Sequence, residues 1–168
     1  MKARHPHTAV ALAATLAVFA AASPAQAFNP LPIPASWKPA ALRLTGVWTV
    51  QVTLINCKTL APLMPPFAAL NQFGVDGSEF EVGIATPPSQ RYPSFGTWHY
   101  AGLNKYHSDF TFFRFNPDGS FAGTQDVSRD IKLSPDGNSF TSLAEVSIYD
   151  AQHNLVKTPC ATETANRF

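Results

Sequence analysis

The feature that most constrains this chain is a period-two alternation of apolar and polar residues in short segments separated by turn sequences. In the segment 42–54, Leu44, Trp48, Val50 and Val52 fall on one face, and mostly polar residues fall on the other. This alternation is typical of a β-strand with one buried face. Turn sequences rich in Gly, Asn and Asp follow at 75–78, 102–104, 116–119, 134–137 and 150–154.

These turns divide the chain into eight predicted strands. They lie near 43–55, 67–74, 78–85, 95–102, 105–115, 120–133, 139–149 and 155–166. The second is ambiguous, because 67–73 could equally form two helical turns ending at Gly74. Consecutive strands with short connections favour an all-β, eight-stranded antiparallel up-and-down barrel, in which closure removes the exposed sheet edges. A two-sheet sandwich is the alternative.

The segment 1–27 has the features of a secretory signal peptide. Lys2 and Arg4 precede an alanine-rich apolar run over 8–22, and Ala25 and Ala27 supply a small-residue cleavage site. A retained membrane anchor is the alternative, but the run is shorter than the roughly 18 apolar residues that a spanning helix needs. We therefore expect export to the bacterial periplasm or the extracellular medium, with no membrane span in the mature protein.

A proline-rich segment over 28–41 follows the predicted cleavage site. Proline opposes helix and favours extended backbone, so we expect an arm there and a single barrel domain over 42–168. Without Lys2 and Arg4, ten basic side chains remain against eleven acidic ones. This balance argues against a nucleic acid partner.

Cys57 and Cys160 are the only cysteines in the chain. An even number in an exported protein favours a disulfide over a metal site or a reactive thiol. The bridge would enclose roughly a hundred residues and contribute on the order of 4 kcal/mol in the chain-entropy model. Because Cys57 follows the first strand and Cys160 lies in the last, the bridge would also place these two strands side by side.

The connections between the predicted strands differ in length at the two ends of the meander. The long proline-rich loops, 56–66 and 86–94, lie at one end, whereas the connections at the other end are tight turns. Binding sites in barrels tend to lie in the mouth under long loops. We therefore expect an open mouth at the long-loop end and a closed base at the other.

Gly46, Val47 and Trp48 open the first strand, a long loop follows it, and the rest of the chain is a tight-turn meander. This pattern resembles the lipocalins and the wider calycin group of secreted β-barrels. The resemblance implies that Trp48 fills the closed base and that Arg167, a basic residue late in the chain, packs across it.

Several polar residues share the inward face with apolar ones in the predicted fourth, fifth and sixth strands. A buried Arg129 would need a partner, and Glu163 in the last strand is a candidate if it faces inward. The alternative is a barrel filled by its own side chains, with the arginines turned outward by a bulge or a register shift. The candidate ligand-binding residues are Trp98, Tyr100, Phe112, Arg114, Gln125 and Arg129.

The patterns of the other titratable residues indicate structural roles. His99 and His107 would be cross-strand neighbours with Asp109 on the same face, but such an outward group is more often solvated than metal-binding. Glu79 and Glu81 flank Phe80, which suggests that both carboxylates point outward. The sequence has no hydrolase elbow, phosphate loop or dinucleotide fingerprint, so we predict neither a metal site nor a cofactor.

We expect a small apolar or amphiphilic molecule to bind at the long-loop mouth. An enzyme of the cyclase or isomerase kind, acting through Tyr100, Arg129 and Glu163, is the second hypothesis, because a preorganised cavity can steer a reactive substrate. An envelope interaction protein that docks a partner through its arm and loops is the third. The oligomeric state and the identity of the ligand do not follow from the sequence.

Overall fold

A computed structural model describes residues 33–168, so the predicted signal peptide and residues 28–32 of the arm lie outside the described residues. Within them, almost all regular structure is β. The strands are β1 Gly46–Ile55, β2 Phe67–Phe73, β3 Ser78–Gly83, β4 Ser94–Gly102, β5 Lys105–Phe115, β6 Phe121–Leu133, β7 Ser139–Tyr149, β8 Leu155–Lys157 and β9 Cys160–Arg167.

These strands form a closed, eight-stranded antiparallel barrel. Each strand from β1 to β7 pairs with the next, β7 also pairs with β9, and β9 pairs back onto β1. The short β8 pairs with the end of β7 and leads into β9 through Pro159, which has no N–H to donate to a ladder. The predicted barrel is confirmed over the sandwich, and the ambiguous segment 67–73 is a strand.

The predicted disulfide is present and lies where the barrel closes. Cys57 and Cys160 are bridged with their Cα atoms 5.2 Å apart. Ile55, the last residue of β1, pairs directly with Cys160 in β9. The bridge therefore joins the long first loop to the strand that completes the barrel.

The closed base is packed around Trp48. This ring is fully buried, and the guanidinium of Arg167 lies 4.2 Å from its centroid. Arg167 also donates hydrogen bonds to the carbonyls of Thr45, Arg43 and Gly137 at 2.7 to 3.0 Å. The packing of Trp48 and Arg167 that the calycin resemblance implied is therefore observed.

The described part of the arm is bent rather than extended. It forms two 3₁₀ helices, Ala35–Trp37 and Ala40–Leu42, and a third covers Pro88–Gln90 in the loop after β3. The Tyr106 hydroxyl donates to the carbonyl of Ala40, and Lys38 donates to Thr45, which fixes the arm against the base. No helix within residues 33–168 is long and apolar enough to cross a membrane.

Candidate functional site

A cavity of about 300 Å³ opens at the long-loop end of the barrel. Its walls are mainly aliphatic and aromatic, and a few polar side chains interrupt them. Loop residues, including Met64, Thr86 and Gln90, border the opening. The barrel residues that line the cavity include Val52, Phe67, Phe110, Phe112, Val127, Ala144, Val146 and Ala161, with the polar residues Glu81, Arg114, Gln125 and Glu163.

Arg91 reaches into this cavity from the loop between β3 and β4. Only 8% of its side chain is exposed, and its guanidinium forms an ion pair with Glu81. The guanidinium also lies 3.9 Å from the centroid of the Phe112 ring and donates to the carbonyl of Gly83. A Cβ atom at Gly83 would come within 2.8 Å of Arg91 Nη1, so the missing side chain makes room for this contact.

A second guanidinium, that of Arg129, is fully buried inside the barrel. Its Nη1 donates to Glu163 Oε2 at 2.6 Å, its Nε donates to Ser108 Oγ at 2.9 Å, and its Nη2 donates to Glu79. With its amide oxygen turned towards the guanidinium, Asn71 accepts two more hydrogen bonds at 2.8 and 2.7 Å. Arg129 therefore holds together side chains from β2, β3, β5 and β9.

Glu163 links this cluster to the cavity. It is 5% exposed, lines the cavity, and also accepts a hydrogen bond from Ser142 Oγ at 2.6 Å. The sequence-based expectation that Glu163 faces inward and pairs with a buried Arg129 is confirmed.

The expectation that Glu79 and Glu81 point outward is wrong. Both are buried, with exposures of 0% and 6%, while Phe80 and Val82 lie on the outer face of β3. Each glutamate has a guanidinium partner inside the barrel, Arg129 for Glu79 and Arg91 for Glu81. These partners come from distant segments, so the alternation within β3 gives no local signal of the inversion.

Burial and charge together set the proton affinities of this cluster. Burial raises the pKa of Glu79 to about 7 against the opposing effect of the Arg129 guanidinium, and burial likewise raises the pKa of Glu81. Burial disfavours the charged form of Arg129, but the attraction of the Glu163 and Glu79 carboxylates outweighs the effect of burial. The pKa of Arg129 is therefore raised. Arg129 therefore stays charged, whereas Glu79 is half protonated near neutral pH.

The predicted ligand-binding residues fall into three groups. Phe112, Arg114 and Gln125 line the cavity. Arg129 does not line the cavity, but it donates a hydrogen bond to Glu163, which does. These positions follow from the inward alternation of β5 and β6 that the sequence predicted.

Trp98 and Tyr100 are the third group, and neither lines this cavity. Trp98 Nε1 donates to the carbonyl of Gly74, in a turn at the closed base, and Tyr100 packs against Tyr106 with ring centroids 5.3 Å apart. Trp98 was a candidate for binding a ligand at the mouth, but it lies near the base, because β4 starts at Ser94 and has reached the turn after β2 by this residue.

The histidine pair lies on the outer face of the barrel. His99 and His107 are cross-strand neighbours with ring centroids 5.5 Å apart, as predicted. His107 contacts Asp130 at 2.8 Å and Asp109 at 3.3 Å, and these contacts, led by the hydrogen bond to Asp130, raise its pKa. Within the described residues, no group of three His, Cys, Asp or Glu side chains has the arrangement of a metal site.

No protein-family model matches this chain, and no curated protein matches it significantly. The interpretation of the cavity therefore depends on its own geometry.

Proposed function

We propose that this protein is an exported binding protein that holds a small apolar or amphiphilic molecule in the mouth of its barrel. A cavity of about 300 Å³ is at the lower end of the range for small-ligand sites. Its walls combine apolar side chains with a few polar groups, the composition that such sites commonly have. The disulfide between Cys57 and Cys160 is compatible with an oxidising compartment outside the cytoplasm.

The observation that carries this proposal is unused hydrogen-bonding capacity at the cavity. Arg114 and Gln125 both line it, and within the described residues neither side chain makes a hydrogen bond or an ion pair with the protein. Both side chains are half-buried, so their polar atoms remain open to the cavity and available to a ligand. A ligand with an apolar body and a polar group would use both parts of this surface.

The enzyme hypothesis receives less support from the geometry. Of its three candidate residues, Glu163 alone lines the cavity, Arg129 lies beneath it, and Tyr100 packs near the base. A catalytic set has to converge on one reacting atom. These three side chains do not converge within the cavity.

Native mass spectrometry of protein purified gently from its own host tests the proposal. We expect an excess mass of one small molecule that leaves on denaturation. A bare mass, together with failure of the purified protein to bind octan-1-ol in solution, would contradict the proposal.

A further inference from the structure

The buried charged side chains inside the barrel do not balance. Among the described residues, three carboxylates face the interior, from Glu79 and Glu81 on β3 and Glu163 on β9, against two guanidiniums, from Arg91 and Arg129. If all five are ionised, the interior carries one excess negative charge.

The remaining strands add no buried charge to this set. Their inward polar side chains near the cluster are neutral, and a further cation, Arg114 on β5, lies half-buried at the rim. Water screens a charge at the rim far more than one in the interior. The neutral residues that face the cluster are Asn71, Ser94, Ser108 and Ser142.

Below neutral pH, a proton balances the excess charge when the cavity holds no ligand. An unbalanced charge in an apolar interior is costly, and a buried carboxyl group commonly avoids it by taking up a proton. Glu79 is fully buried, and its Oε2 has no hydrogen-bond partner within the described protein. Glu79 is therefore the residue on which this proton is expected.

Two of the carboxylates that line the cavity keep one oxygen without a hydrogen bond from the described residues. Glu81 and Glu163 both line the cavity, and in each side chain the hydrogen bonds from described residues all end on Oε2. Oε1 of each is therefore available as an acceptor. A hydrogen-bond donor that enters between them would meet two carboxylates at once.

We propose that the polar group of the ligand is a cation, an alkylammonium, that enters the cavity headfirst and binds Glu81 and Glu163. This inference rests on the proposed function and specifies the ligand class for the same cavity. Below neutrality the ammonium replaces the interior proton as the balancing charge, so the complex forms as the ligand enters and one proton leaves to solvent; above neutrality the ligand enters without proton release. The alkyl chain lies against the apolar wall that includes Phe112 and Val127.

Proton release makes the affinity depend on pH in a defined direction. An alkylammonium remains charged up to about pH 10, as a lysine side chain does. Because the charge on the ligand does not change over this range, only the interior proton competes with it. The affinity of the protein for the alkylammonium therefore rises about tenfold for each pH unit up to neutrality and is constant above it.

Three probes with the same chain length test this inference: octylamine, octan-1-ol and octanoate. We expect calorimetry of the whole protein to show octylamine binding at least tenfold more tightly than octanoate at pH 7. We also expect octylamine to bind about thirtyfold more tightly at pH 8.5 than at pH 5.5. Titration in two buffers that differ in ionisation enthalpy should show release of up to one proton below neutrality.

A matched pair of variants tests whether the pH-dependent binding of octylamine depends on Glu79. Glu79→Gln keeps the shape of the protonated side chain and removes its exchangeable proton, so octylamine should bind at least tenfold more weakly and with a much smaller pH dependence. Glu145→Gln changes the same charge on the outer face of β7 and should behave as the wild type. If Glu79→Gln does not fold, as judged by thermal unfolding, Glu81→Gln is expected to lose the preference for octylamine.

The outcomes separate this inference from the proposed function. If octanoate binds as tightly as octylamine, or if octylamine binds with neither pH dependence nor proton release, the ammonium proposal is wrong and the binding function stands. If none of the three probes binds, both are wrong.

Discussion

Arg129 on β6 and Glu163 on β9 form a buried ion pair across β7, the strand that lies between theirs, with Nη1 and Oε2 2.6 Å apart. Ser142 on β7 donates to the same carboxylate oxygen, so all three strands contribute to one contact. A slip of one residue in β6 or β9 would turn a charged partner towards solvent, and a slip in β7 would turn the Ser142 hydroxyl away from Glu163. The pair therefore favours one register at the closure of the barrel.

Arg129→Met should destabilise the fold by about 3 to 5 kcal/mol, because it leaves the buried Glu79 and Glu163 without their shared cation. Urea unfolding monitored by circular dichroism measures the change. The matched control is Arg114→Met at the rim, which should change the unfolding free energy by less than about 1 kcal/mol. Equal effects of the two variants would contradict the role given to Arg129.

From the raised pKa of Glu79 we predict that the protein becomes more stable as the pH falls from 7 to about 4.5. Its folded-state pKa of about 7 exceeds the ordinary value of 4.5, so the folded state binds more protons than the unfolded state within this window. The raised pKa adds up to about 3 kcal/mol to the free energy of unfolding. This contribution is fully present below pH 4.5 and is lost as the pH rises through 7.

Comparison with Glu79→Gln isolates this contribution. His107 also has a raised pKa, and its contribution is likewise lost with rising pH, but the variant retains it. Urea unfolding at several pH values should therefore show a smaller gain on acidification in Glu79→Gln than in the wild type. A parallel pH dependence of the two proteins would exclude an interior proton on Glu79.

The disulfide should provide much of the stability of the closed barrel. Replacing both Cys57 and Cys160 by serine removes a cross-link over 103 residues, and the chain-entropy model predicts a loss of up to about 4 kcal/mol. Unfolding of the wild type with and without reductant should reproduce the difference. A reduced protein of unchanged stability would show that the bridge adds nothing to closure.

Phe112 and Phe113 provide a matched test of the cavity wall, because neighbouring residues in a strand face opposite sides. Phe112 lines the cavity under Arg91, whereas Phe113 is 52% exposed on the outer face. Phe112→Leu should weaken octan-1-ol binding by about three- to tenfold, equivalent to about 1 kcal/mol. Phe113→Leu should leave the dissociation constant unchanged, and calorimetry distinguishes the two.

The periodicity of β6 allowed part of the site to be predicted. Gln125 and Arg129 alternate with outward polar residues and share their face with Val127, so an inward orientation followed from the sequence. The need of a buried guanidinium for a partner then identified Glu163. Local periodicity together with charge satisfaction was sufficient here because the apolar residues mark the buried face.

The same reasoning failed in β3 for a physical reason. Phe80 and Val82 are the apolar residues of that strand, yet they face outward, and Phe80 packs against Phe95 with ring centroids 5.2 Å apart. The interior position of Glu79 and Glu81 depends on guanidiniums that follow 50 and 10 residues later. An isolated strand pattern contains no information about such distant partners.

The central claim is that the mouth cavity of this barrel binds small molecules. Titration of ¹⁵N-labelled protein with octan-1-ol, followed by amide chemical shifts, tests it most directly. We predict saturable shifts at cavity residues, including Phe112, Gln125 and Val127, and little change at Trp98 and at Leu103 in a base turn. Shifts confined to the base or to the outer face, or none at all, would contradict the claim.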